Sequence, residues 1–361
     1  MNTDLIKIDT REGYSRAVRA AAAVLASGGL VGIPTETVYG LAASAEHAEA
    51  VDRLKAAKNR PTDKKFTICL ALAADVKRFA SVVPRKAQKL ISRFWPGPLT
   101  LVLPAAGDGT VGLRMPGLSF TREVLLRTDT TVIIPSANPH GQEPARTAGE
   151  VMDYFDGRIE LVLDAGPSKM GMASSVVEIK ADEKMTILRH GAISETELAE
   201  AVARTILFVC TGNMCRSPMA EGIAKKLLSE RLGVASGDLL KAGFEVASSG
   251  TACFGGGPPS AEAVAVTQEI GVDISGCRSR PLSLEALRQA DLIICMAPHH
   301  AHAVAALDSA AGGRSVLLLP GGATVEDPIG GPTEVYRRVR DILFDSVKAR
   351  IEELVGENSD R

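Results

Sequence analysis

The chain reads as an α/β protein in two domains, and three observations carry that expectation. Its 361 residues exceed what one hydrophobic core of ordinary size accommodates. In the stretch from Ile206 to Pro218, four apolar residues pass through a short polar loop into Met219, Ile223 and Leu227 at four-residue spacing. That is a buried strand feeding an amphipathic helix, with proline suited to its first turn. Further on, apolar runs at 244–247, 291–296 and 316–319 alternate with helical patterns near 261–270 and 284–290. Such alternation predicts a parallel sheet covered on both faces, with its ligand loop at the carboxyl ends of the strands.

Composition narrows the class. Hydrophobic content of 45%, charged content of 23% and a formal charge of −2 describe an ordinary globular chain, and nothing there demands nucleic acid. No basic region followed by an apolar core opens the sequence, and no apolar run is long enough to span a bilayer. Six scattered cysteines form neither a disulfide framework nor a repeated metal-ligand spacing. A cytoplasmic protein without a membrane partner is expected.

In chain order, the N-terminal half opens with an alanine-rich helix over 14–26, stopped by Gly28-Gly29, and a strand over 30–33. Pro34-Thr35-Glu36-Thr37-Val38-Tyr39-Gly40 then offers hydroxyls to a small polar ligand, or helix-capping threonines in a plain loop. A helix over 51–58 leads into Lys58, Arg60, Asp63, Lys64 and Lys65 before an apolar strand over 66–72, so the cations sit at a strand mouth where a triphosphate could be held. Arg114 falls within a strand, where burial is expensive without an anionic partner. Ile133-Ile134-Pro135-Ser136-Ala137-Asn138 ends another strand on a hydroxyl and an amide.

Together these pieces resemble the YrdC-type threonylcarbamoyl-AMP synthase family over roughly 13–193. The motifs are PTETVYGL, the Lys58-x-Arg60-Pro61 turn, Ser136-x-Asn138 and the tail LDAGPSKMGMASSVVEI with ILRHGAI. The resemblance implies a twisted mixed α/β sheet that joins L-threonine, bicarbonate and ATP into threonylcarbamoyl-AMP, with magnesium accompanying the triphosphate. That product would feed tRNA threonylcarbamoyladenosine modification, making tRNA or a tRNA-modification protein a candidate partner. Carried over by motif, Thr37, Lys58, Arg60 and Arg114 match positions for threonine and bicarbonate. Lys64, Thr110, Ser136, Asn138, Arg146, Ser175 and Arg189 match nucleotide positions. The chain departs from many relatives at Asp63-Lys64-Lys65-Phe66 and at Cys69, following a turn known in shorter members of the family.

A capping-box signature at Ser194-Glu195-Thr196-Glu197 begins a short helix expected to run to about 204. No Gly/Ser- or Pro-rich tether follows, so a semi-rigid joint between domains 1–200 and 201–361 is expected.

The second domain centres on Cys210-Thr211-Gly212-Asn213-Met214-Cys215-Arg216-Ser217. Loop amides, a helix N-terminus and Arg216 all favour a thiolate at Cys210, making it a nucleophile. Arg216 can fork two phosphate oxygens while Ser217 donates to the sulfur. This loop resembles that of the low-molecular-weight protein tyrosine phosphatase family, whose bacterial relatives include protein arginine phosphatases. The resemblance runs over 204–354 and implies a parallel-sheet fold and a catalytic set of Cys210, Arg216, Asp327, Ser217 and Asn213. Thr211, Gly212, Met214 and Cys215 would complete the phosphate loop. It implies metal-free hydrolysis of a phosphoprotein through a cysteinyl phosphate, with Asp327 as acid and then base. Cys215 would either protect Cys210 through a reversible disulfide or serve as a structural thiol. Where relatives commonly carry histidine before the last arginine of this region, Cys277 stands. Met214, without a hydroxyl, points to an aryl phosphate such as phosphotyrosine; Ile329-Gly330-Gly331 after Asp327-Pro328 is closer to the phosphoarginine pattern. The loop is weighted more heavily, so phosphotyrosine is favoured. Two other readings stay open: an RNA-binding module in the first half, and an arsenate reductase in the second, although Cys277 and Cys295 are not a closely spaced pair.

Overall fold

The computed structural model describes residues 2–59 and 65–356. The chain divides into two compact units, Met1–Ala201 and Val202–Arg361.

Among the described residues of the first unit, ten strands form one mixed sheet. They are β1 (Asp4–Lys7), β2 (Val31–Ile33), β3 (Gly40–Ser44), β4 (Ile68–Cys69), β5 (Leu99–Pro104), β6 (Thr110–Arg114), β7 (Val132–Ile133), β8 (Leu161–Asp164), β9 (Ser175–Ile179) and β10 (Met185–Arg189). Their order is β1-β8-β2-β3-β7-β4-β6-β5-β9-β10, with both parallel and antiparallel neighbours. Period-two alternation distributes the apolar side chains. Val31, Ile33, Ala42, Leu161 and Leu163 face the helices Arg11–Ala26 and Ser119–Arg127. Their neighbours Leu41, Ala43 and Val162 face the helices Ala48–Lys58 and Ala148–Phe155. The first helix starts earlier than its apolar pattern, because Thr10 caps it by accepting from the Gly13 N–H at 3.0 Å.

Two expectations are corrected here. The strand expected over 66–72 pairs only at Ile68–Cys69, although Leu70 N still donates to Arg114 O at 2.8 Å. Leu72 caps a 3-10 turn over Ala73–Asp75, which ends the ladder. The helix expected to reach 204 stops at Ala201, because Arg204 already opens the next strand.

The second unit is a four-stranded parallel sheet, β12-β11-β13-β14, built from β11 (Arg204–Cys210), β12 (Phe244–Gly250), β13 (Leu292–Cys295) and β14 (Ser315–Leu317). On β11, Ile206 and Phe208 pack against the helices Arg216–Leu232, Ala261–Gln268 and Thr333–Gly356. Leu207 and Val209 face the opposite layer with Leu287, Val304 and Ala311. Cys210 therefore ends the central region of a sheet buried on both faces, the place where such folds hold ligands.

Candidate active sites

In the first unit a cavity of about 550 Å³ opens over one face of the sheet. The sequence LTLVLP of β5 explains its wall: Leu99, Leu101 and Leu103 are fully buried below, while Thr100 and Val102 line the cavity. On β6, Thr110, Gly112 and Arg114 line it in the same way. Lys65, Ser136, Ser174 and Arg189 complete a rim of cations and neutral donors, with no aspartate or glutamate among the lining residues.

Arg114 is held firmly. It donates to Glu36 Oε1 and to Thr37 Oγ1, both at 2.7 Å, and the paired side chains are each 11% exposed. Thr37 is fully buried, and its hydroxyl also meets Thr35 Oγ1 at 2.9 Å, so it orients Arg114 within the wall. Across the cavity Arg189 donates to Ser174 O at 2.8 Å and to Ser174 Oγ at 2.9 Å. Tyr39 is buried beneath and donates to Gly166 O, and its burial pushes the phenol up to about 12. Burial likewise pushes the Cys69 thiol in the wall up to about 12.

Other expected residues take different roles. Lys58 is buried and its ammonium donates to the carbonyls of Ser136 and Asn138, so it braces that loop where a bicarbonate contact was expected. The Asn138 amide donates to Pro139 O and Gln142 O and accepts from Ser136 Oγ at 2.6 Å, so Ser136 lines the cavity and Asn138 supports it. Ser175 is corrected outright. Its hydroxyl is bonded to the Ile193 backbone on the core side, and its neighbour Ser174 faces the cavity. A strand turns adjacent side chains to opposite faces, so a shift of one residue exchanges the two roles. Arg146 is exposed beside Gly171 and does not line the cavity. Arg60 and Lys64 lie outside the described residues.

In the second unit the loop after β11 closes around Cys210. Its sulfur lies 2.9 Å from Ser217 Oγ and accepts the Asn213 N–H at 3.2 Å. Asn213 adopts a left-handed conformation, φ 52°, fixed by three bonds. Its amide donates to Ser217 Oγ at 2.9 Å and Ser248 Oγ at 2.8 Å, and its carbonyl accepts the Arg280 N–H at 2.7 Å. Ser248 Oγ in turn donates to Glu221 Oε2 at 2.6 Å, and Glu221 pairs with Lys225. Ser248, Glu221 and Arg280 carry no role in the sequence reading, because each draws meaning only from contact with Asn213.

Arg216 is buried at the start of its helix. It donates to Val325 O at 3.2 Å and Thr211 Oγ1 at 3.3 Å, and pairs with the half-exposed Asp327. Cys215 caps that helix without a side-chain bond, leaving the first-turn amides to an anion. Cys215 itself lies among Ser260 and Tyr336, and burial raises its thiol. Met214 packs partly on the apolar core. Cys295 is fully buried on the opposite face of the sheet, among Leu207 and Val209. Phe254 was also missed: it is fully exposed, on a segment whose Thr251 and Ala252 amides donate to Cys210 O and Thr211 O at 2.9 Å.

Two family models match the chain. Residues 23–191 fit the Sua5/YciO/YrdC family model, described as telomere recombination, and 205–359 fit the low molecular weight phosphotyrosine protein phosphatase model. Threonylcarbamoyl-AMP synthase of Pyrococcus abyssi is 35% identical over 194 residues, 51% of this chain and 57% of that protein. The chain thus spans little more than half of that relative's length. A putative threonylcarbamoyl-AMP synthase of Mycobacterium tuberculosis is 34% identical over 200 residues, 53% of this chain and 91% of that protein. The solved structure of P. abyssi Sua5 complexed with L-threonine shares the fold at 22% identity and TM-score 0.52, covering 88% of this chain and 99% of its own.

Proposed function

The chain belongs to the Sua5/YciO/YrdC family of threonylcarbamoyl-AMP synthases, and from that premise we propose a bifunctional enzyme with a phosphatase in its second half. The first unit joins L-threonine, bicarbonate and ATP into threonylcarbamoyl-AMP with release of pyrophosphate. Support comes from the one cavity in which Arg114, Arg189 and Lys65 converge with Thr110, Ser136 and Ser174. Carboxylate and phosphoryl charge must gather at one point in this reaction, and fixed cations and neutral donors suit it. Magnesium would accompany the triphosphate, whose phosphate oxygens and bound waters supply most of the ligands such an ion takes.

The second unit hydrolyses phosphomonoesters on proteins. Cys210 Sγ attacks phosphorus, forming an S–P bond as the P–O bond to the substrate breaks and Asp327 protonates the leaving oxygen. Asp327 then takes a proton from water, whose oxygen displaces the thiolate. Arg216 binds equatorial oxygens, and the Ser217 hydroxyl, 2.9 Å from the sulfur, stabilises the departing thiolate. An aryl phosphate such as phosphotyrosine is the substrate we favour. Its strongest support is Phe254, an exposed aromatic carried on a segment bonded to the nucleophile loop.

Cys210→Ser is expected to abolish phosphatase turnover while leaving threonine- and bicarbonate-dependent pyrophosphate release intact. Residual phosphatase above about a hundredth of wild type would rule out the covalent route.

A further inference from the structure

His300 sits fully buried in the first turn of the helix Pro298–Leu307, with its Nε2 2.9 Å from Thr211 Oγ1. Its Nδ1 is the one buried side-chain nitrogen or oxygen that lacks a hydrogen-bond partner among the described residues. We infer that His300 is a positioning residue of the nucleophile loop, its Nε2–H holding Thr211 so that the threonine's own proton is left for a phosphoryl oxygen. This rests on the phosphatase reading of the loop.

The role of His300 depends on where one proton sits. A proton on Nδ1 would be a buried donor with no acceptor, which costs stability. A bare ring nitrogen in the same place is tolerated better than an orphaned N–H. The Nε2–H tautomer follows, and its proton points at Thr211. Burial, His299 beside it and Arg216 together push the ring down to about 4, so it is neutral at physiological pH.

Thr211 Oγ1 then receives two donors, His300 Nε2–H and, at 3.3 Å, Arg216. A hydroxyl oxygen has two lone pairs and one proton. With both lone pairs engaged, the proton must be given away, and the acceptor that the loop is built to receive is a phosphoryl oxygen. His300 thereby fixes the sense of a hydrogen bond that Thr211 alone could make in either direction, and it anchors the oxygen that steadies Arg216.

The test uses the full chain. His300→Phe keeps the ring volume and removes the donor, and Thr211→Val removes the hydroxyl. Each is expected to lower kcat/KM for p-nitrophenyl phosphate about tenfold, the effect of one lost hydrogen bond. The double variant should be no worse than either single one, and His300→Gln, which returns an N–H near the Nε2 position, should recover to within about threefold of wild type. Losses that multiply in the double variant, or a His300→Phe enzyme as active as wild type, overturn the inference. Nitrogen-15 NMR of the wild-type ring gives an answer independent of turnover and of whether a variant folds. A protonated Nε2 with a bare Nδ1 is expected, and a proton on Nδ1 overturns the assignment. Absence of any phosphatase activity in wild type would instead strike the functional reading, with the NMR result still deciding the tautomer.

Discussion

Phe254 carries the substrate argument at the scale of single residues. A fully exposed phenylalanine gains apolar burial only when something covers it, and its segment is bonded to the backbone of Cys210 and Thr211. An aromatic ring of a bound substrate that reached it would supply that cover. Met214 gives weaker support than its place in the loop promises, because it packs partly on the core. Phe254→Ala is therefore expected to lower the specificity constant for phosphotyrosine peptides about tenfold and to leave phosphoarginine peptides within about threefold. Met214→Thr, which adds a hydroxyl to the loop, is expected to shift preference toward phosphoarginine. A wild-type preference for phosphoarginine in the same comparison refutes the aryl reading. Cys210 and Arg216 stood out in sequence because a strand, a loop and a helix frame them, whereas Asp327 came only from the family resemblance; the structure pairs Asp327 with Arg216. Ser175 could not be told from Ser174, since only the strand's registration decides which hydroxyl faces the cavity.

At the scale of elements, the join of β11, its loop and the following helix depends on a close approach from β12. Gly250 lies opposite Cys210 in the strand register, and a Cβ there would fall 2.6 Å from Thr211 O and 3.0 Å from Asn213 N. Both are backbone atoms of the nucleophile loop, so neither can swing aside as a side-chain tip would. Gly250→Ala is expected to destabilise the second unit by about 1–3 kcal/mol, the usual consequence of overpacking. Phosphatase turnover should fall by at least about tenfold through displacement of Thr211 and Asn213. Denaturant unfolding and p-nitrophenyl phosphate turnover check both parts, and an unchanged rate would show that the loop yields freely. Alternation and helical spacing made most strands and helices of this unit legible. The helix Thr333–Gly356 was not assigned from sequence, although Tyr336, Val339, Leu343, Val347, Ile351 and Leu354 recur at three- and four-residue spacing along it. The short ladder of β4 was legible only as an apolar run, because pairing partners set where such a run stops being a strand.

At the scale of the whole molecule, the chain is two separate sheets, each with its own buried apolar layers, and this much the alternation and the two motif sets foretold. The roles of Lys58 and Asn138 were not foretold, because a buried cation or amide near a cavity serves equally well as ligand or as brace until its partners are seen. No strand is shared between the ten-stranded and the four-stranded sheet among the described residues. Each unit is also large enough to bury a self-sufficient core. The two activities are therefore expected to be separable by mutation and by cutting the chain. Arg114→Ala removes a guanidinium held between Glu36 and Thr37, and is expected to lower pyrophosphate release by at least about a hundredfold. Phosphatase turnover in that variant should match wild type. Expressed separately, 1–201 should retain the synthase reaction and 202–361 the phosphatase reaction, each within about threefold of the full chain. A fragment that fails to fold, or that loses more than about tenfold of its rate, would show that one half depends on the other.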